Sequence, residues 1–129
     1  MANVNWSTSI QVAGGPTVSA SQGPIQAEAT ERIQVSIAAG DAGKVVSLQP
    51  GPASAIHLLL IQSSYYGADL SFTVGNGAAD SAALSLLGPQ FFSGGSAALF
   101  GLDPNLLKFT NAGANNASIE IFIARDATP

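Results

Sequence analysis

The chain contains no cysteine, a single histidine and few basic residues. Without cysteine there is no disulfide scaffold, no thiolate metal site and no cysteine nucleophile. A protein that wraps nucleic acid needs clustered lysine and arginine side chains to neutralise the phosphates. This sequence has only four such side chains, and they are spread along it: Arg32, Lys44, Lys108 and Arg125. We therefore expect no nucleic-acid partner.

Charge of either sign is scarce. Charged residues make up 9% of the 129 residues, whereas a soluble domain typically carries about 25%. Hydrophobic residues make up 47%, which excludes intrinsic disorder, and the length is that of one domain. Two explanations of the low charge stay open at this point. The surface is either coated with neutral polar groups or largely covered by neighbouring subunits.

Long apolar runs are absent as well. The longest lies near residues 56–61 and is interrupted by His57, which is far short of the roughly 20 residues that span a bilayer. The first six residues contain no basic side chain and no apolar segment, so they do not resemble a secretory signal. We expect a soluble protein that meets no membrane by itself.

Apolar and polar residues alternate along much of the chain, which is typical of half-buried strands. Residues 55–61 differ, because they are apolar on both faces except at His57, and they predict a central strand buried on both sides. Residues 78–87 come nearest to a helical pattern, so at most one short helix is expected. With frequent Gly, Pro and Asn turn signals, these strands predict an all-β sandwich or barrel. The clearest alternating segments are 4–12, 25–37, 70–74 and 119–123.

The N-terminal part has a different composition. Residues 12–24 are rich in Ala, Gly, Ser and Thr and have little bulk to bury. They form either an ordinary surface connection or an arm that becomes ordered against a neighbour. We therefore divide the chain into an N-terminal extended segment or arm, residues 1–24, and a β-sandwich domain, residues 25–129.

No pattern in the sequence indicates an active site. Acid–base or nucleophilic catalysis needs a base beside a nucleophile, most often histidine. His57 lies in an apolar strand, where a hydrogen-bonded core or interface role is the more common one, and a pH-sensitive interface stays open. Four loop aspartates lack the spacing of a calcium loop and are better explained as turn formers: Asp41, Asp69, Asp80 and Asp103. We expect no enzyme, no catalytic residue, no metal and no cofactor.

Five aromatic residues are candidate contact anchors: Trp6, Tyr65, Tyr66, Phe91 and Phe92. Aromatic residues with one polar end anchor protein interfaces, and exposed ones also form platforms for sugars. Two adjacent Phe in a strand cannot both point into one core, so either Phe91 or Phe92 should face another sheet, a loop or a partner. The low charge favours a structural assembly subunit. The alternative is a carbohydrate- or ligand-binding β-sandwich module, with Trp6, Tyr65 and Tyr66 lining its site.

Four stretches resemble small virion proteins of tailed bacteriophages: 57–64 (HLLLIQSS), 70–74 (LSFTV), 106–111 (LLKFTN) and 119–128 (IEIFIARDAT). The resemblance covers roughly residues 54–128 and lies in the general residue pattern of these stretches and in the order of the strands. It implies an antiparallel, jelly-roll-like β-sandwich, often trimeric, that decorates a capsid and reinforces it without chemistry. It also implies that the partners are further copies of the chain and a major capsid protein. The expected location is the capsid surface of a virion, after synthesis in the host cytoplasm.

Overall fold

The structure is a computed structural model that describes residues 2–48 and 53–126. In these ranges the two helices are short 3-10 turns, Ala53–Ala55 and Ser96–Phe100, and neither could cross a bilayer. Residues 78–87 contain no helix. The ten strands are β1 (Ala2–Gln11), β2 (Thr17–Ala27), β3 (Ala29–Ile37), β4 (Lys44–Ser47), β5 (Ile56–Ser63), β6 (Leu70–Gly75), β7 (Leu84–Ser85), β8 (Gln90–Ser93), β9 (Leu106–Asn111) and β10 (Ala117–Arg125).

Eight of these strands form two antiparallel sheets, with the strand orders β3-β10-β5-β8 and β4-β9-β6-β7. The chain pairs concentrically within them: β3 with β10, β4 with β9, β5 with β8, and β6 with β7. Nested pairing of this kind results when one long hairpin is rolled up into two facing sheets, which is a jelly roll. The predicted antiparallel, jelly-roll-like sandwich with little helix is therefore confirmed.

The core lies between the two sheets and is made by the alternating apolar residues. Phe72 of β6 lies directly opposite Phe109 of β9, and their ring centroids are 5.9 Å apart. The predicted central strand is also confirmed, since β5 lies inside its sheet and Leu58, Leu59 and Ile61 are buried. The largest fully buried side chains are Phe72, Phe109, Ile37, Leu59, Ile61, Leu70, Leu86, Leu107, Ile119, Ile121, Ile123 and Val74.

The first two strands form a separate antiparallel hairpin, which we call the arm (residues 2–27). Val4 lies opposite Ile25 but Trp6 lies opposite Gln22, so β2 carries one extra residue at this bulge. The predicted boundary between residues 24 and 25 falls inside β2, which continues to Ala27. The outer ends of the two predicted segments, residue 1 and residues 127–129, lie outside the described residues.

The side chain of Asn111 connects several elements at one end of the sandwich. Its Nδ2 donates to the backbone carbonyls of Ile37 (3.2 Å) and Asn115 (2.8 Å). Its Oδ1 accepts from the Tyr65 hydroxyl (2.8 Å) and the Gly113 backbone N–H (3.0 Å). The fully buried amide thus uses its whole hydrogen-bonding capacity. It ties the end of β9 to the end of β3 and to the loops that precede β6 and β10.

We expect Asn111→Ala to lower the free energy of unfolding by about 3 kcal/mol, because buried partners are left without hydrogen bonds. Urea denaturation followed by circular dichroism measures this loss. Asn115→Ala is the matched control, because the Asn115 side chain is exposed and makes no hydrogen bond within the described ranges. Equal stability of the two variants would contradict the role given to Asn111.

Candidate functional site

The sheet β3-β10-β5-β8 has an outer face, turned away from the core, and part of this face is apolar. Phe122 of β10 lies opposite Leu60 of β5, which in turn lies opposite Phe91 of β8. The base of the arm packs on this apolar part through Val4 and Trp6 and forms a second, small core with Ala27, Leu58 and Ala124. The sheet is therefore covered on its inner face and on part of its outer face.

Trp6 and Phe91 form the contact at the edge of this small core. Their ring centroids are 4.9 Å apart and the ring planes make an angle of 79°, which is the favoured edge-to-face arrangement. The Trp6 indole N–H donates to Oε1 of Gln22 on the neighbouring strand, at 3.3 Å. Trp6 thereby connects both strands of the arm to the outer strand of the sheet.

An apolar groove of about 400 Å³ stays open beside this contact. We call it the outer groove. Its wall on the arm side consists of residues 4–8, all from β1, and its floor consists of the outer face of the sheet. The floor residues are Leu58, Leu60, Phe91 and Phe122.

Beyond its base, the arm has no cover within the described residues. We call residues 7–24 the distal arm, and every one of them is exposed. Ile10 and Val18 lie directly opposite each other and are 59% and 60% exposed. All twelve charged residues of the chain lie between Glu28 and Asp126, so the arm carries no charge at all. A two-stranded hairpin is marginally stable in water by itself.

A second part of the outer face is polar, and we call it the polar row. Glu120 accepts hydrogen bonds from Arg32 (Nη2, 2.6 Å), Gln34 (Nε2, 3.1 Å) and Gln62 (Nε2, 3.0 Å). The Arg32 hydrogen bond, followed by those of Gln34 and Gln62, lowers the pKa of the Glu120 carboxyl below its ordinary value of 4.5. These four side chains, from β3, β10 and β5, satisfy one another and hold the carboxylate ionised.

The five predicted anchors do not form one site. The structure brings Trp6 and Phe91 together on the outer face, whereas Phe92 points the other way and contacts Phe100 with centroids 4.8 Å apart. This confirms that the two adjacent Phe residues face different surroundings. Tyr65 and Tyr66 pack against the main core from another part of the fold. The Tyr65 hydroxyl bonds Asn111, and the Tyr66 hydroxyl accepts from the Ser63 backbone N–H at 3.1 Å.

His57 is half-buried, and its Nε2 lies 2.9 Å from Oδ1 of Asp126. Two of the loop aspartates make local contacts: Oδ2 of Asp41 accepts from the Ala38 backbone N–H, and Asp80 pairs with Lys108. Within residues 2–48 and 53–126, no three His, Cys, Asp or Glu side chains are grouped as metal ligands would be. These contacts give His57, Asp41 and Asp80 partners within the fold.

Sequence reasoning missed the apolar part of the outer face and the polar row, whereas it offered an arm over residues 1–24 as one of two explanations. Phe122 stands among the outward positions of β10, where Glu120 also stands, and an apolar residue on an otherwise polar face was the available signal. The missing charge in residues 2–27 is a further signal for the arm that the sequence analysis did not use. The polar row had no signal in the sequence, because it depends on which strands become neighbours.

Comparison with protein-family models finds no match for this chain, and comparison with curated proteins finds no similar sequence.

We expect Phe91→Ala to shift the fluorescence emission of Trp6, the only tryptophan, to longer wavelength, because the indole loses its ring contact and gains water. The variant should lose about 1 kcal/mol of stability. Phe92→Ala is the matched control and should destabilise the fold while leaving the emission maximum in place. Unchanged emission in Phe91→Ala would contradict the described packing of the arm.

The lowered pKa of Glu120 predicts a pH dependence of stability. Because the folded-state pKa lies below 4.5, the ionised carboxylate stabilises the fold above that pH, and this contribution is lost as the pH falls through the folded value. Glu120→Gln removes the titration, so the wild type should lose more stability than this variant on acidification. Urea midpoints between about pH 6 and pH 3 measure the difference.

Glu28→Gln serves as the control for this titration, since Glu28 is exposed and makes no side-chain hydrogen bond in the described part of the chain. Its acid profile should follow the wild type. Parallel profiles for the wild type and Glu120→Gln would contradict the stabilising role of the polar row.

Proposed function

We propose that the protein is a non-enzymatic structural subunit of a tailed-bacteriophage virion, most specifically a decoration protein that binds the assembled capsid and stabilises it. Its partners are further copies of itself and a major capsid protein, and its place is the capsid surface. The observation that carries this proposal is the distal arm, an uncharged hairpin whose residues are all exposed and which projects from a jelly roll. Exposed apolar pairs such as Ile10 and Val18 are typical of surfaces that become covered on assembly.

The jelly-roll topology supports the same proposal more weakly. Jelly rolls occur in viral capsid proteins, and also in lectins and other proteins, so that the fold alone does not determine the function. The resemblance of residues 54–128 to small virion proteins adds to the support. The side chains described above serve packing and local hydrogen bonding, which suits a subunit that acts by contact.

The mechanism of such a subunit is mass action. A protein that binds only the assembled shell stabilises it by about 2.7 kcal/mol per site at a hundredfold excess over Kd. Many weak sites on a lattice add up to a large resistance to disruption. Because the arm has no charge, binding through it depends little on ionic strength.

One observation favours the alternative, a carbohydrate-binding module. The polar row and the nearby Ser63, Ser64 and Ser118 form a shallow surface of amides, hydroxyls and one carboxylate. Such groups can bond sugar hydroxyls. However, the described residues place no aromatic platform there, because the Tyr65 and Tyr66 hydroxyls are bonded inside the fold and Trp6 lies in the arm.

We expect the purified protein to sediment with capsid shells that lack it and to raise the temperature at which those shells break open. Raising the salt from 50 to 500 mM should change the binding only slightly. The control is a panel of oligosaccharides tested for a shift in the melting temperature of the protein. A folded protein that stays in the supernatant and is stabilised by a glycan would overturn the proposal in favour of the alternative.

A further inference from the structure

We propose that β1 pairs edge to edge with β1 of a second copy of the chain, antiparallel and across a two-fold axis. The result is a continuous four-stranded sheet with the order β2-β1-β1-β2. This inference deepens the assembly role proposed above and rests on it. It names the surface through which two copies meet.

The free edge of β1 is the first observation. β1 is ten residues long and, within the described ranges, pairs with β2 alone. Its other row of backbone N–H and C=O groups has no partner there. Natural proteins protect such edges with charged residues, proline or a bulge. β1 has no charge and no proline, and the extra residue of the bulge lies in β2.

The outer edge of β2 is protected, by contrast. It carries the bulge opposite Val4 and Trp6, and Pro24 lacks a backbone N–H. These two features interrupt the ladder at the base of the arm, which is where β1 borders the outer groove. The asymmetry between the strands selects β1 as the edge that accepts a partner.

The outer groove runs along the same edge. Five consecutive residues of β1, 4–8, form its wall, and no β2 residue lines it. A strand added to β1 would place alternate side chains over the floor formed by Leu60 and Phe122. The occupant therefore has to supply an apolar residue at that point. The groove continues the small core on which the arm already packs.

The chain itself supplies that residue. Val4, Trp6, Thr8 and Ile10 share one face of β1, because they are two residues apart. In an antiparallel pair centred on Ser7, Ile10 of each copy lies opposite Val4 of the other. The exposed Ile10 of one copy then lies over the outer groove of its partner, and both copies gain the same contact.

The absence of charge in the arm also favours a second copy as the occupant. The arm contains no charged residue, so two arms meet without like charges facing each other across the new pair. A two-fold pairing covers both free edges at once and closes the assembly. Chains with one unprotected edge and one protected edge then stop at a pair instead of growing into a fibre.

Sedimentation velocity and cysteine cross-linking test this inference on the full chain, which has no native cysteine. The wild type should sediment with an even number of copies. Ser7→Cys should form an intermolecular disulfide under mild oxidation, because the two Ser7 positions face each other across the axis. Ser19→Cys, on the other strand of the same arm, is the matched control and should stay uncross-linked.

A charge variant tests the groove contact. Ile10→Lys should weaken the pairing by roughly tenfold or more, because the buried isoleucine is replaced by a charge. Ser19→Lys adds the same charge to the arm away from the shared edge and should leave pairing intact. Circular dichroism shows whether each variant keeps its fold.

The outcomes separate this inference from the proposed function. A monomer, a trimer, or equal cross-linking of Ser7→Cys and Ser19→Cys would overturn the β1 pairing. Shell binding by the same preparation would leave the proposed function standing. An even-numbered assembly with the predicted cross-link that does not bind shells would support the pairing and overturn the decoration role.

Discussion

The architecture depends on a sheet that is apolar on its inner face and on part of its outer face. The inner face of β3-β10-β5-β8 closes the jelly-roll core, as one face of any sandwich sheet does. The outer face carries Leu58, Leu60 and Phe122, which water would otherwise contact. A single jelly roll has no further layer to cover them, so the chain adds one by folding the arm across that face.

This cover is incomplete, because it leaves the distal arm and the groove beside β1 exposed. The base of the arm reaches Phe91 through Trp6, whereas every residue of the distal arm is exposed. The outer groove lies open next to β1. The exposed arm and the open groove therefore have similar chemistry. The arm has no charged residue, and none lines the groove.

Alternation is a local property, so the sequence predicted the clearly alternating strands, but it did not predict β2, most of which lies in residues 12–24. Segment 119–123, for example, lies within β10, and segment 25–37 covers the end of β2 together with β3. Pairing is not local: β3 and β10 are about 80 residues apart in the chain, and no spacing in either strand shows that they meet. For the same reason the polar row could not be predicted, since Arg32, Gln62 and Glu120 come from three separated strands. Tyr65 and Tyr66 also needed the structure, because composition does not distinguish an inward hydroxyl from an exposed one.

The placement of charge connects these features. Every charged residue lies after the arm in the sequence. Glu120 is an example, since its carboxylate accepts hydrogen bonds from side chains of its own sheet. Ion pairs made inside one subunit cannot select a neighbour, whereas backbone ladders and apolar side chains can join one. The arm offers only the latter two. Recognition through this surface must therefore come from strand register and shape, and the alternation of Val4, Trp6, Thr8 and Ile10 supplies both.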